Sequence, residues 1–154
     1  PMAKETVKKT TSKTTSKANY TYAVGRRKTA NARVRLYKSA SVPGFDGVQM
    51  IVNGKPAEQY FPGETAIAAY RKPFIITETL TKMSASVVVA GSGKMGQLDA
   101  TVHGIARSLS ALDKEAFRSI LKSAGLLTRD SRTRQRRMIG TGGKARRTKQ
   151  SPKR

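Results

Sequence analysis

The sequence contains no cysteine and a single histidine, His103. Without thiols there is no disulfide, no thiol nucleophile and no zinc knuckle, which fits a reducing cytoplasm. One imidazole with no second imidazole or thiolate excludes the usual shared metal site and points to a packing or RNA-facing residue. Acidic residues are almost as scarce. Nine Asp and Glu oppose 31 Lys and Arg, a formal charge of +22 and a pI near 11.1. Apolar runs such as Val87–Ala90 are far too short to span a bilayer. Residues 1–17, PMAKETVKKTTSKTTSK, have no apolar segment of the kind a secretory signal needs. They hold Glu5 and no Arg, which argues against a mitochondrial presequence.

What is present is positive charge on a chain long enough for one domain. Only 37% of the 154 residues are hydrophobic, so part of the chain is expected outside any core. A surplus of this size repels itself when compact and calls for a polyanion, nucleic acid first and an acidic membrane surface second. The charges divide the chain in three. Residues 1–19 carry five Lys and one Glu and read as a disordered, solvated leader. Residues 20–127 carry fifteen basic and seven acidic residues with nearly all the apolar periodicity, and form the expected globular domain. Residues 128–154 carry eleven basic residues against Asp130 alone, an extended basic tail with no core of its own. No internal repeat is found.

Within the middle part, Ala32, Val34 and Leu36 alternate with Arg33, Arg35 and Tyr37 as in a half-buried strand, with Gly25–Lys28 at its entrance. Residues 48–52 and 74–79 read as further strands and 85–90 as a buried one. Asn53-Gly54-Lys55-Pro56 is a turn. A short helix is expected over 64–71, stopped by Pro73. After Gly96 a longer helix places Leu98, Val102, Ile105, Ala106, Leu109 and Leu112 on one face. Asp113 then caps another, and Gly125 sits where a helix-ending glycine belongs. Strands followed by two consecutive helices indicate an α+β domain.

No catalytic constellation emerges. Gly91–Gly96 fits G-x-G-x-x-G after a strand and at a helix start, but the acids twenty residues on, Asp113 and Glu115, begin a helix rather than end a second parallel strand. A P-loop would need Gly at 88 and Ser or Thr at 95, where Val88 and Met95 stand. The turn is left as either a bare structural turn or a phosphate contact. A hydrolytic triad would have to use His103 with no elbow motif around any serine. Asp113 and Glu115 suit a helix dipole. The reading is therefore no enzyme, no cofactor, no metal and no small-molecule substrate.

The basic features are more informative. Between Gly25 and Asp46 no acid offsets Arg26, Arg27, Lys28, Arg33 and Arg35, which argues against a merely solvated strand face. In the tail, eight Arg outnumber three Lys. Arginine forks bind phosphate oxygens in pairs and stack on bases, which suits folded RNA. A nuclear localisation signal accounts for four or five of these residues and not the whole stretch. A membrane role lacks an apolar stripe beside the charges. No helix-turn-helix or zinc finger supports sequence-specific DNA reading.

Five ordered blocks then resemble one family, the universal ninth protein of the small ribosomal subunit in its bacterial form. They are GRRKTANARVRL from Gly25, VNGKPAEQYFP from Val52, GSGKMGQLDATVHGIARSL from Gly91, LTRDSRTRQRR from Leu127, and KAR followed by the final Lys153-Arg154. In the third, the glycines, Gln97, Ala100, Gly104 and Arg107 keep the family spacing. Ser92 departs from a triple-glycine turn, Gln135 from a usual glutamate, and Met138-Ile139 and Pro152 from the basic run and tip. The resemblance covers about residues 20–154.

It implies a small mixed sheet with helices on one side, a split β-α-β arrangement with a left-handed crossover that runs against the usual preference. It also implies a cytoplasmic ribosomal component in the head of the small subunit, beside neighbouring ribosomal proteins. Small-subunit ribosomal RNA would be held by Arg26, Arg27, Lys28, Arg33, Arg35, Lys55, Lys94, Arg107, Arg129, Arg132, Arg134, Arg136, Arg137, Lys144, Arg146, Arg147 and Lys149. Lys153 and Arg154 would contact peptidyl-site transfer RNA. A fully extended tail reaches roughly 90 Å at 3.3–3.6 Å per residue, several times the radius of gyration of such a core, about 13 Å. The other reading is a basic architectural nucleic-acid-binding protein outside the ribosome.

Overall fold

A computed structural model describes residues 20–44 and 49–137. The strands are β1 (Tyr20–Arg27), β2 (Ala30–Tyr37), β3 (Met50–Val52), β4 (Lys55–Pro56) and β5 (Ser84–Ala90), and the helices α1 (Ala57–Tyr60), α2 (Glu64–Ile76), α3 (Lys94–Leu112) and α4 (Lys114–Ser123). The strands form one open sheet in the order β1-β2-β5-β3-β4. All its neighbours are antiparallel except β3 and β5, which run parallel and are joined in sequence through β4, α1 and α2. The helices pack on one side, the expected α+β arrangement.

The alternation in β2 sets the two faces of the sheet. Ala30, Ala32, Val34 and Leu36 are buried, whereas Asn31, Arg33 and Arg35 are exposed. Val87 and Val89 of β5 join the buried face, and Leu98, Ile105, Ala106 and Leu109 of α3 close over it. These four are residues whose helical spacing marked them as a core face; Val102 and Leu112 pack at its margin. Asp113 caps α4 as expected, its Oδ1 accepting the Ala116 amide at 3.1 Å. Gly125, at φ 73°, ends that helix, with the Leu126 amide donating back to the Leu121 carbonyl at 3.0 Å.

Four expectations differ from the structure. Gly25–Arg27 close β1, a strand the apolar pattern does not mark, and Lys28 lies in the turn before β2 at φ 51°. The expected stop at Pro73 is absent, because α2 runs through it to Ile76. A proline removes one amide donor from the helix, and here its ring is fully buried beside Phe74. The expected strand over 74–79 is thus the end of α2 and the turn after it. Its buried residues Tyr70, Phe74 and Thr77 recur at helical spacing, with Ile75 left 56% exposed. Finally, α3 starts at Lys94, so Lys94–Gly96 belong to the helix rather than precede it. Of the expected strand 48–52, Met50–Val52 is observed, and position 48 lies outside the described residues. The leader 1–19 and tail residues 138–154 also lie outside them. Residues 128–137 contain no helix or strand.

Candidate nucleic-acid interface

β1 is an edge strand, so its outer backbone groups need partners that the sheet does not supply. Two side chains from α3 provide them. The Arg26 amide donates to Nδ1 of His103 at 3.3 Å, and Arg107 donates through its guanidinium to the Val24 carbonyl. His103 is thereby occupied in packing. Burial, and then the charge of Arg107, push its pKa below the ordinary imidazole value. A neutral ring is also what the bond requires, since Nδ1 must keep its lone pair to accept an N–H.

Around this junction the chain gathers cations from distant positions. Val24, Arg26, His103, Arg107 and Arg129 line an open cleft of about 510 Å³. Arg26, Arg107 and Arg129 are exposed, and among the described residues none of the three is in an ion pair. Three guanidinium groups beside a neutral imidazole create a pocket suited to phosphate oxygens. Their sequence separation, from Arg26 to Arg129, hides this grouping from any local reading.

Arg27 does something different from its neighbours. Its side chain is only 14% exposed, and its nitrogens reach Asp99 at 3.4 Å, Asp130 at 3.1 Å and the Arg132 carbonyl at 2.7 Å. Asp130 also pairs with Arg132 at 2.8 Å, and Arg132 followed by Arg27 holds its carboxyl well below the usual carboxylate range. Arg27 therefore ties the first residues of the tail to β1 and α3. The acids that neutralise it lie 72 and 103 positions away, outside the acid-free stretch that surrounds it in sequence.

The remaining cations are spread over several surfaces. Lys28 and Lys55 are exposed in or beside turns, and Arg33 and Arg35 stand on the open face of the sheet. Arg134, Arg136 and Arg137 are exposed in the tail. Lys144, Arg146, Arg147, Lys149, Lys153 and Arg154 lie outside the described residues.

The Gly91–Gly96 turn is held from several sides. Gly91 and Ser92 adopt positive φ, 80° and 56°, and a Cβ on Gly91 would collide with the Thr29 carbonyl. Gln97 donates to the Gly91 carbonyl at 3.1 Å and accepts from the Tyr60 hydroxyl at 2.8 Å. Lys94 places its Nζ 3.5 Å from the centre of the Tyr60 ring, a cation–π contact. No side chain caps α3 at Gly93, which leaves its first amides without a capping side chain, as at helix starts that attract anions. Among the described residues the sheet offers no second βαβ unit for a dinucleotide, since β5 is the last strand there and α3 and α4 follow it.

Among the described residues no group of three His, Cys, Asp or Glu is placed to hold a metal, and no helix is long and apolar enough to cross a membrane. Sequence reasoning did not find the edge-capping role of His103, the anchor formed by Arg27, or the aromatic residues Tyr20 and Tyr22 beside Arg35. Only the last had a local signal, the alternation Tyr-Thr-Tyr three residues before the basic block that begins at Arg26.

The model of a family described as ribosomal protein S9/S16 matches residues 25–154. A protein of Maridesulfovibrio salexigens named small ribosomal subunit protein uS9 is 45% identical over 125 residues, 81% of this chain and 90% of that protein. Proteins of the same name from Solidesulfovibrio magneticus and Lawsonia intracellularis are 44% and 42% identical, covering 80% and 79% of this chain and 89% and 87% of their own.

Proposed function

This chain belongs to the ribosomal protein S9/S16 family, a non-enzymatic family, and from that premise we propose that it grips ribosomal RNA in the head of the small subunit with its domain and reaches peptidyl-site transfer RNA with its tail. It is a structural protein of the small ribosomal subunit, and like its bacterial relatives it has its place in the cytoplasmic ribosome. The observation that carries the finer reading is the cleft of Arg26, Arg107 and Arg129, with no acid paired to them among the described residues. Arg107 also serves the edge of β1, but no described acid balances the three guanidinium charges, and RNA phosphates would supply the missing charge.

In this reading the domain spans residues 20–127 and the tail 128–154. Arg27 is the pivot between them, setting the direction in which the tail leaves. Arg134, Arg136 and Arg137 continue the phosphate contacts outward, followed by Lys144, Arg146, Arg147 and Lys149. Lys153 and Arg154 meet transfer RNA at the far end. Neighbouring ribosomal proteins of the head complete the surroundings. The other class of function, an architectural nucleic-acid-binding protein outside the ribosome, is separated by sedimentation. The tagged chain should follow the small subunit in fixed stoichiometry through a sucrose gradient at high salt. Release from the subunit into the free or DNA-bound fractions would overturn the assignment.

A further inference from the structure

The face of the sheet turned away from the helices is built unlike a solvated surface. β1 sends Tyr20, Tyr22 and Val24 to it, and the register sets Tyr22 beside Arg35 and Val24 beside Arg33. From the other side Val88 of β5 stands beside Arg33. Tyr22 is 51% exposed, Val88 44% and Tyr20 37%. The Arg35 guanidinium lies 5.3 Å from the centre of the Tyr20 ring. None of the described ion pairs uses Arg33 or Arg35. Tyrosine rings, valines and guanidinium groups thus share an exposed, acid-free patch at β1, β2 and the end of β5, while Ser84 and Ile51 further along the same face are buried.

We propose that this face is a stacking platform for unpaired RNA bases, distinct from the phosphate cleft at the edge of β1. The inference rests on the RNA-binding reading above. Charge selects the occupant. Two unpaired arginines attract a polyanion, and the leader, with five Lys and one Glu in residues 1–19, carries the same sign as the face. The aromatic rings select the form of RNA. In a duplex the bases are already stacked, whereas single-stranded bases offer both faces to a ring. Strands lie about 4.8 Å apart, so Tyr22 and Arg35 together present a surface on the scale of one base. No aromatic residue occurs in 1–19 or 118–154, so base stacking on an aromatic ring must come from the domain.

The test uses the full chain and two ten-nucleotide probes: an unstructured RNA and the same sugar-phosphate strand without bases. The chain should bind the base-bearing strand about tenfold or more tightly than the abasic one, in line with alanine substitutions at stacking sites. Tyr22→Ser should remove most of that preference, and Tyr22→Phe should keep it. Arg33→Gln with Arg35→Gln should weaken binding to both strands. Thermal melting verifies that each variant is folded. Equal, salt-sensitive binding of the two strands by the parent chain, or a preference unchanged in Tyr22→Ser, would overturn the platform while leaving RNA binding intact. Failure of the parent chain to bind either strand would overturn the RNA-binding reading as well. A dimer of the RNA-free chain that Tyr22→Ser dissociates, with the base preference unaltered, would assign the face to a second copy and overturn the proposal too.

Discussion

Gly25 in β1 and Gly104 in α3 pass each other with no space for a side chain between them. A Cβ on Gly104 would stand 2.6 Å from Cγ2 of Val34 and 3.1 Å from the Gly25 nitrogen, and one on Gly25 would overlap the backbone of Ala100 and Gly104. The two positions should respond unequally to alanine. Gly25→Ala meets immobile backbone and should cost about 3 kcal/mol, the upper part of the overpacking range. Gly104→Ala meets a valine methyl and gains about 1 kcal/mol of helix propensity, so its net loss should be smaller. Urea unfolding of the two variants checks the order; equal midpoints would contradict the close approach.

His103 makes stability depend on pH in a defined direction. Its folded pKa is lowered by burial and by Arg107, so between that value and the unfolded value, about 6.5, the unfolded chain binds more protons. The stabilising contribution is complete above about pH 6.5 and declines as the pH falls through the folded pKa. Since His103 is the only histidine, the urea midpoint should fall between pH 7 and pH 5 in the parent chain and much less in His103→Gln. The same slope in both would rule out His103 as its origin.

Removing the Arg27 anchor should free the root of the tail and leave the domain folded. In Arg27→Ala the Asp99 and Asp130 contacts disappear together. Limited trypsin digestion should then cut faster after Arg129 and Arg132. Asp130→Asn should act in the same direction, more weakly, because Arg27 still donates to the Arg132 carbonyl. Unchanged cleavage in both variants would mean that the anchor does not hold the segment.

The Gly91–Gly96 turn should bind no free nucleotide with specificity, because no second βαβ unit lies beside it among the described residues. Calorimetry with NAD and ATP should give only weak binding that disappears at higher salt. A saturable, salt-insensitive isotherm at micromolar concentration would contradict this.

At the far end, Lys153→Ala with Arg154→Ala should weaken peptidyl-site transfer RNA binding to small subunits modestly and equally for all transfer RNAs, since phosphates carry no sequence information. Each lost contact should reduce the salt slope by about 0.7–0.9. Assembly of the variant into subunits should proceed normally, because the domain cations and nine other tail cations remain. Unchanged affinity and slope would remove the tip from the transfer RNA site.

Much of the fold could be read locally. The alternation of β2, the apolar stripe of α3, the Asp113 cap and the Gly125 terminator are short-range patterns, each tied to a backbone geometry. Ser92 is similar. Its departure from a triple-glycine turn falls at a φ of 56°, where glycine is the unstrained choice. β1 escaped because its helix-facing residues are Thr21, Ala23 and Gly25, chosen for closeness to α3 rather than for hydrophobicity. The stop expected at Pro73 was overridden by burial of its ring and of Phe74.

The sequence by itself determined the charge, the absence of catalytic chemistry, the α+β class and the family, because composition, periodicity and ordered blocks survive without coordinates. Which cations remain available to RNA was decided only in three dimensions. Arg26 and Arg27 are adjacent, equally basic and equally far from any acid in the sequence around them. Successive strand residues point to opposite faces, so Arg27 turns toward Asp99 and Asp130 while Arg26 stays exposed beside Arg107 and Arg129. An ion pair is set by distance through space, which a single sequence does not encode for residues 103 positions apart.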